Sequence, residues 1–166
     1  SFYTTANGGV PEADVVNGFY NSAESQAFFG SMPLAEQINQ IYNNLFNRDV
    51  EADGLLYWMS RIQGDIVVNG VVVPQLNLAE AAMGILRGAQ NGDLDTVNAK
   101  VAASQRFVEA MDTAPEWSGY AGEEAANDAR EFLAGVGVGS TPTDAAVDAA
   151  VLKATTPNVL PPPPPP

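Results

Sequence analysis

The sequence predicts a mainly α-helical fold, a compact bundle of about six to eight helices with one short inserted β-hairpin. Three observations lead to this prediction. Apolar residues recur at intervals of three and four along most of the chain, as they do on one face of an α-helix. Two runs of β-branched residues enclose a single Asn-Gly pair, which is a hairpin signal. Alanine and valine make up much of the apolar 46%, and such small side chains favour closely packed helices.

The most regular pattern is a helix, a corner and a second helix over residues 36–64. The corner is the polar run 47–49. The first helix places six apolar residues on one face, namely Leu34, Ile38, Ile41, Tyr42, Leu45 and Phe46. The second helix is expected to bury Leu55, Trp58, Met59 and Ile62. Two amphipathic helices joined by so few residues fold back on each other to cover their apolar faces.

A hairpin is predicted after this pair, where 66–68 and 71–73 flank Asn69 and Gly70. A type I′ turn needs positive φ at both central positions, and Asn-Gly supplies it. A lone two-stranded hairpin is marginal in water, so it either packs on its own domain or pairs with a neighbouring copy through an open edge. The candidate assembly residues are Val67, Val68, Val71 and Val72.

The remaining elements follow from caps and breakers. An irregular arm is expected over 1–10, then a helix from Pro11 and a short helix ending at Phe28 and Phe29. Asn77 and Glu80 have capping-box spacing and open a helix that is expected to end at Asn91-Gly92. Within it, Gly84 and Gly88 imply the close approach of another helix.

The second half of the chain is predicted to hold three more helices. The first opens at Asp93, with Leu94, Val97, Val101, Val108 and Met111 on its inner face. Residues 113–122 are expected to form a loop. The second helix is marked by Ala125, Ala129, Phe132 and Leu133, and the last runs from Pro142 to about Lys153. The helical domain therefore spans 11–155. Residues 156–166 are expected to be a proline-rich linker to a further C-terminal region, and its six prolines at 161–166 are expected to form a polyproline II rod.

Composition excludes several classes of function. Twenty acidic and seven basic residues leave a formal charge of −13, so nucleic acid is not an expected partner, because binding it needs neutralisation of phosphates. Contact with an anionic surface would need a bridging cation such as calcium. Histidine and cysteine are absent, which removes the usual serine, cysteine and zinc catalytic sets and leaves only a pair of carboxylates. No apolar run approaches the ~20 residues of a membrane span.

Two groups of polar residues have the spacing of calcium ligands. Asn91, Asp93 and Asp95 alternate as in a calcium loop, but the loop's glycine and final glutamate are missing. The favoured alternative makes Asp93 a helix cap and Asp95 a partner of the helix dipole. The second group is Asp49, Glu51 and Asp53, for which caps and first-turn acids are likewise the favoured alternative.

Aromatic residues supply another type of candidate site. Trp117 and Tyr120 lie in the expected polar loop and are candidates for contact with a carbohydrate or a protein. Trp58 falls on the inner face of its helix and is expected in the core.

The corner resembles a known signature. Six residues, Arg48, Glu51, Gly54, Leu55, Tyr57 and Trp58, resemble the pattern R-x-P-D-x-x-G-L-x-Y-W of a bacterial domain family of unknown function. That family recurs in secreted surface-layer, RTX-type and adhesin-like proteins. Val50 replaces the proline of the pattern and Glu51 its aspartate. The resemblance covers residues 34–112.

This resemblance implies an extracellular protein of the bacterial cell surface, exported by a type I system. The expected function is a non-enzymatic assembly or anchoring module that attaches to envelope polysaccharide or lipopolysaccharide, to neighbouring copies of itself, or to both, with calcium as a bridge. One alternative is a self-assembling scaffold or adhesin domain that acts only through protein–protein contacts. Another is an enzyme that acts on polysaccharide through two carboxylates.

Overall fold

The computed structural model of the chain describes residues 23–156. That range contains eight helices and one two-stranded antiparallel hairpin, so the predicted mainly α-helical fold is confirmed. The described elements form two compact units, residues 23–90 and residues 91–156, and each is described by itself. The predicted arm, the helix from Pro11 and the polyproline rod lie outside the described residues.

The first unit contains four helices and the hairpin. They are α1 (Ala23–Phe29), α2 (Leu34–Phe46), α3 (Ala52–Gln63), β1 (Ile66–Val68), β2 (Val71–Val73) and α4 (Leu78–Arg87). Helices α2, α3 and α4 pack against one another. Their buried apolar residues are Ile38, Ile41, Phe46, Leu78, Ala81 and Ile85. The four residues predicted for the inner face of α3 are all half-buried, as are Gly54 and Arg61, and no residue of α3 is fully buried. The helix–corner–helix prediction is therefore confirmed, but full burial of the four residues is not.

Helix α4 begins as predicted but ends earlier. The Asn77 side chain accepts a hydrogen bond from the Glu80 N–H at 2.9 Å, and Glu80 accepts one from the Asn77 N–H at 2.8 Å. This reciprocal pair is the predicted capping box. The helix ends at Arg87, with Gly88 as its C-cap, rather than at Asn91.

Gly84 is the point where α3 approaches α4 most closely. A Cβ atom on Gly84 would lie 2.7 Å from Cη2 of Trp58. The indole N–H of Trp58 donates in turn to the Tyr42 hydroxyl of α2 at 3.2 Å, which fixes the ring. The close neighbour that was expected for Gly84 is therefore the Trp58 ring. Gly88 has no such neighbour, because a Cβ there would meet only carbonyl oxygens of its own helix.

The second unit contains the other four helices. They are α5 (Asn91–Ala110), α6 (Ala114–Gly119), α7 (Gly122–Ala134) and α8 (Asp144–Thr155). Helix α8 packs against the other three. The core of the unit consists of Phe107, Met111, Val147, Val151 and Ala154. Lys153 ties α8 to α7, with its Nζ 2.9 Å from Asp128 and 2.6 Å from Glu131. These hydrogen bonds raise the pKa of Lys153 to about 12.

Two expectations for the second unit are wrong. Residues 113–122 contain the short helix α6, which Thr113 and Glu116 begin with a second capping box. The inner face of α5 is also different in part, because Thr96, Ala103 and Phe107 are buried while Leu94, Val101 and Val108 are exposed. Of the other predicted residues, Met111 is buried as expected and Val97 is half-buried. Apolar residues lie on two sides of α5, and the packing of α8 selects the side that is buried. Spacing alone does not contain that information.

No helix within residues 23–156 is both long enough and apolar enough to cross a membrane.

Substituting Gly84 by alanine tests the contact between α3 and α4. We expect Gly84→Ala to lower the free energy of unfolding by ~1–3 kcal/mol, because the new methyl group overlaps the Trp58 ring. The intrinsic helix preference of alanine, up to ~1 kcal/mol, acts in the opposite direction. Urea unfolding followed by circular dichroism measures the difference. Gly88→Ala is the matched control and should change little; equal stability of both variants would contradict the contact.

Candidate functional site

The corner between α2 and α3 is held by the Asp49 carboxylate. Asn47 ends α2 in a left-handed conformation with φ 57°. Asp49 then accepts hydrogen bonds at 2.9 Å from the side-chain amides of Asn39 and Asn43, both on α2. The Asn39 side-chain oxygen accepts the N–H of Val50 at 2.8 Å. The carboxylate therefore fastens the corner back onto the helix that precedes it.

The signature residues converge on the Tyr42 side chain. The guanidinium of Arg48 lies over the Tyr42 ring, 5.3 Å from its centroid, and 5.8 Å from that of Phe46. The hydroxyl of Tyr42 accepts the Trp58 N–H, and Gly54 leaves space beside it, since a Cβ there would lie 3.4 Å away. The contacts of Arg48, Gly54 and Trp58 are thus internal packing contacts.

Two further signature residues, Leu55 and Tyr57, differ in their surroundings. Leu55 is half-buried. The Tyr57 ring is exposed and packs edge-to-face on Trp58, with its centroid 4.9 Å away.

The predicted calcium ligands Asp49, Glu51 and Asp53 are spread around this corner. Asp49 is occupied by the two amides, while Glu51 lies 3.6 Å from the Arg48 guanidinium. Glu51 is the N-cap residue of α3 without a side-chain capping bond, and Asp53 is an exposed acid of its first turn. Asp53 is therefore the first-turn acid that was expected, whereas the Glu51 carboxylate does not cap the helix as expected.

The other predicted calcium ligands, Asn91, Asp93 and Asp95, lie at the start of α5. Asn91 adopts a positive φ of 50° and is the first residue of the helix, and Asp93 lies in its first turn. Asp93 is thus inside the helix rather than at the cap position that was expected for it. Within residues 23–156, no three acidic side chains form a group that could hold a metal ion. Calcium stays a prediction.

An open cleft of about 260 Å³ lies between α5 and α8. Its lining residues are Arg106, Glu109, Ala110, Asp144, Val147 and Asp148. The guanidinium of Arg106 donates to Asp144 at 2.5 Å and to the carbonyl of Pro142 at 2.6 Å. The Asp144 carboxylate of the cleft is therefore engaged in holding the start of α8.

Trp117 and Tyr120 have different environments. Trp117 lies on α6 and is 54% exposed. The Tyr120 ring, just after α6, packs edge-to-face against Phe107 of the core, with centroids 5.9 Å apart. A Cβ on Gly119 would overlap the backbone of Thr155, so α6 lies directly against α8. Trp117 is therefore the more exposed aromatic of the pair, since Tyr120 is 36% exposed, and it lies on a helix that packs directly against α8.

The hairpin has the predicted register and turn. Val67 faces Val72 and Val68 faces Val71 across the ladder. Asn69 and Gly70 have φ values of 50° and 79°, as a type I′ turn requires. The four candidate assembly residues, Val67, Val68, Val71 and Val72, are all exposed.

The base of the hairpin is fastened to the C-terminal end of α3. Arg61 donates through Nη2 to the carbonyl of Pro74 at 3.1 Å, and its own carbonyl accepts the Leu76 N–H at 2.8 Å. Gln75 donates its side-chain amide to the Ile62 carbonyl at 2.6 Å and its N–H to Asp65 at 2.7 Å. The base is fixed on the unit, and the exposed valines extend from it.

One family model matches part of the chain. The model is described as a domain of unknown function (DUF4214), and it matches residues 16–81. That range includes the corner, the Tyr42 contacts and the hairpin, and it ends within α4. The match supports the resemblance to a domain family of unknown function; the particular signature and the secreted context stay predictions. No curated protein and no solved structure matches the chain.

The hydrogen bonds that Asp49 accepts predict how the stability of the unit depends on pH. Hydrogen bonds from Asn43 and Asn39 lower the pKa of Asp49, so the folded state favours its ionised form. The resulting stability is present above the pKa of aspartate in the unfolded chain, about 3.9, and is lost as the pH falls through the lower folded pKa. NMR titration should show the pKa of Asp49 rising in Asn43→Ala. Gln40→Ala, which removes an amide bonded to Asn44 instead, should leave the titration of Asp49 unchanged. An equal response in the two variants would contradict this account of the corner.

Proposed function

We propose that the chain is a non-enzymatic assembly module of an extracellular bacterial surface protein, and that it joins neighbouring copies of itself through the 66–73 hairpin. The observation that carries the proposal is the exposure of all four valines, Val67, Val68, Val71 and Val72. Exposed apolar patches in a polar surround mark interaction sites. Neither strand contains a charged residue.

The charge of the chain favours this surface over others. Each copy carries a formal charge of −13, so two copies repel each other over most of their surface. Approach is least opposed where a surface is uncharged and apolar. The hairpin meets both conditions, and its fixed base on α3 limits the entropy lost when it pairs.

The contact is expected to be weak when a single pair forms. Stable dimers bury roughly 800 Å² per partner, which exceeds what two strands of three residues offer. Weak contacts become effective when copies are held side by side, because the local concentration is then high. A surface layer or filament supplies that arrangement.

Charged substitutions in the hairpin test this proposal. We expect the chain to associate with increasing concentration, and more strongly at high salt, where repulsion between acidic copies is screened. The double variant Val67→Lys, Val72→Lys should stay monomeric in sedimentation velocity, because pairing would bury the new charges.

The matched control is Leu94→Lys, Val101→Lys, which makes the same charge change at exposed apolar residues of α5. Circular dichroism should be unchanged in both. Association that survives the hairpin change, or a wild-type chain that is monomeric at every concentration and salt, would contradict the proposal.

A second function, contact with envelope polysaccharide, is favoured by Trp117. An indole ring that is 54% exposed on a fixed helix is a surface on which a sugar ring can stack. The acidic chain would meet an anionic saccharide through calcium ions that bridge carboxylates of both, rather than through an ion held within the protein.

Binding to purified lipopolysaccharide tests this second function. We expect binding in calcium, its loss in excess chelator, and weaker binding by Trp117→Ala because the stacking surface is removed. Trp117→Tyr keeps an aromatic face and should retain most of the binding. Equal binding by the alanine and tyrosine variants would contradict a role for the ring, and binding that persists in chelator would contradict the calcium bridge.

A further inference from the structure

The two edges of the hairpin differ in what they offer to another strand. In an antiparallel ladder, opposed residues alternate between pairs that exchange backbone hydrogen bonds and pairs that exchange none. The two-residue turn closes on Val68 and Val71, so these two exchange bonds. The backbone N–H and C=O groups of Val67 and Val72 are then directed away from the partner strand, to the outer edges of β1 and β2.

The edge of β2 is protected. Beyond Val72, its next outward position is Pro74, which has no N–H, and the Pro74 carbonyl already accepts a hydrogen bond from Arg61. Proline at an edge is one of the devices that prevent strand addition. Gly70 of the turn lies on the other side of Val72.

The edge of β1 has no such protection. Its outward positions are Asp65 and Val67, and both carry an N–H as well as a C=O. Val67 is 69% exposed, and within residues 23–156 no hydrogen bond reaches its outward backbone groups. Strand β1 contains no charge, proline or bulge.

We propose that two copies pair through their β1 edges, antiparallel and about a two-fold axis at Val67, to form a four-stranded sheet. The proposal rests on the assembly function proposed above and specifies the surface through which it occurs. In this register Val67 faces its own counterpart, and Ile66 faces Val68 of the other copy. It is the register in which all three β1 residues oppose strand residues.

Charge and side-chain contacts agree with this register. Asp65 lies beside Asn69 of the other copy, so the two Asp65 carboxylates stay apart. A shift by one pair would place Asp65 opposite Val67 instead. Because Val67 and Val72 share one face, the sheet carries a row of four valines, two from each copy, and β-branched residues pair favourably across strands.

Single cysteine variants test the pairing, because the chain has no cysteine of its own. Opposed Cα atoms in a hydrogen-bonded antiparallel pair are about 5.5 Å apart, which is within disulfide reach. The Val72 residues of the two copies would be separated by three strand spacings, or about 14 Å, which is too far.

Under mild oxidation at high protein concentration, Val67→Cys should become a covalent dimer, while Val72→Cys stays monomeric. The two positions are matched in exposure, at 69% and 60%. Val68→Cys tests the register and should cross-link far less than Val67→Cys. Circular dichroism of the reduced variants checks that each is folded.

The outcomes separate this inference from the assembly function. Cross-linking of Val72→Cys in preference to Val67→Cys would overturn the β1 edge, and preferential cross-linking of Val68→Cys would overturn the register. A third outcome is that the wild-type chain associates, the lysine variant stays monomeric and no cysteine variant cross-links. In that case the copies meet through the valine faces and edge pairing is wrong. If the wild-type chain is also monomeric throughout, the assembly function fails as well.

Discussion

The Tyr42 side chain is the contact on which the rest of the first unit depends. Its ring lies beneath the Arg48 guanidinium, and its hydroxyl accepts the indole N–H of Trp58. Trp58 packs against Gly84, so one ring on α2 fixes the corner, the position of α3 and the approach of α4. Each contact is modest, since an exposed cation–π pair is worth about 0.5–1 kcal/mol, but the first two meet at Tyr42 and the third continues from Trp58 to Gly84.

This arrangement separates the residues that hold the unit together from those that can bind a partner. The end of α3 supports the base of the hairpin through Arg61 and Ile62, so the position of α3 sets where the valines extend. The signature residues lie at the corner and on α3, but Arg48, Gly54 and Trp58 make their contacts within the unit. We propose the uncharged hairpin, which the corner positions, as a surface for a partner.

The sequence predicts features that depend on residues close together along the chain. The helix–corner–helix, the capping box of Asn77 and Glu80 and the Asn69-Gly70 turn were all predictable, because each needs only local spacing and backbone preference. Helix α6 was missed although the T-x-x-E box of Thr113 was readable, since the aromatics and glycines suggested a loop. The buried side of α5 and the engagement of Asp49 by amides of α2 depend on tertiary neighbours, which periodicity does not identify.

Hydrogen exchange at the hairpin measures the central claim most directly. The account predicts that the backbone N–H of Val67 exchanges quickly in dilute solution and becomes protected as concentration and salt rise, because it then bonds to a second copy. The N–H of Val72, on the protected edge, should keep its rate throughout. Equal protection of both amides, or a Val67 rate that is independent of concentration while the chain associates, would contradict the account.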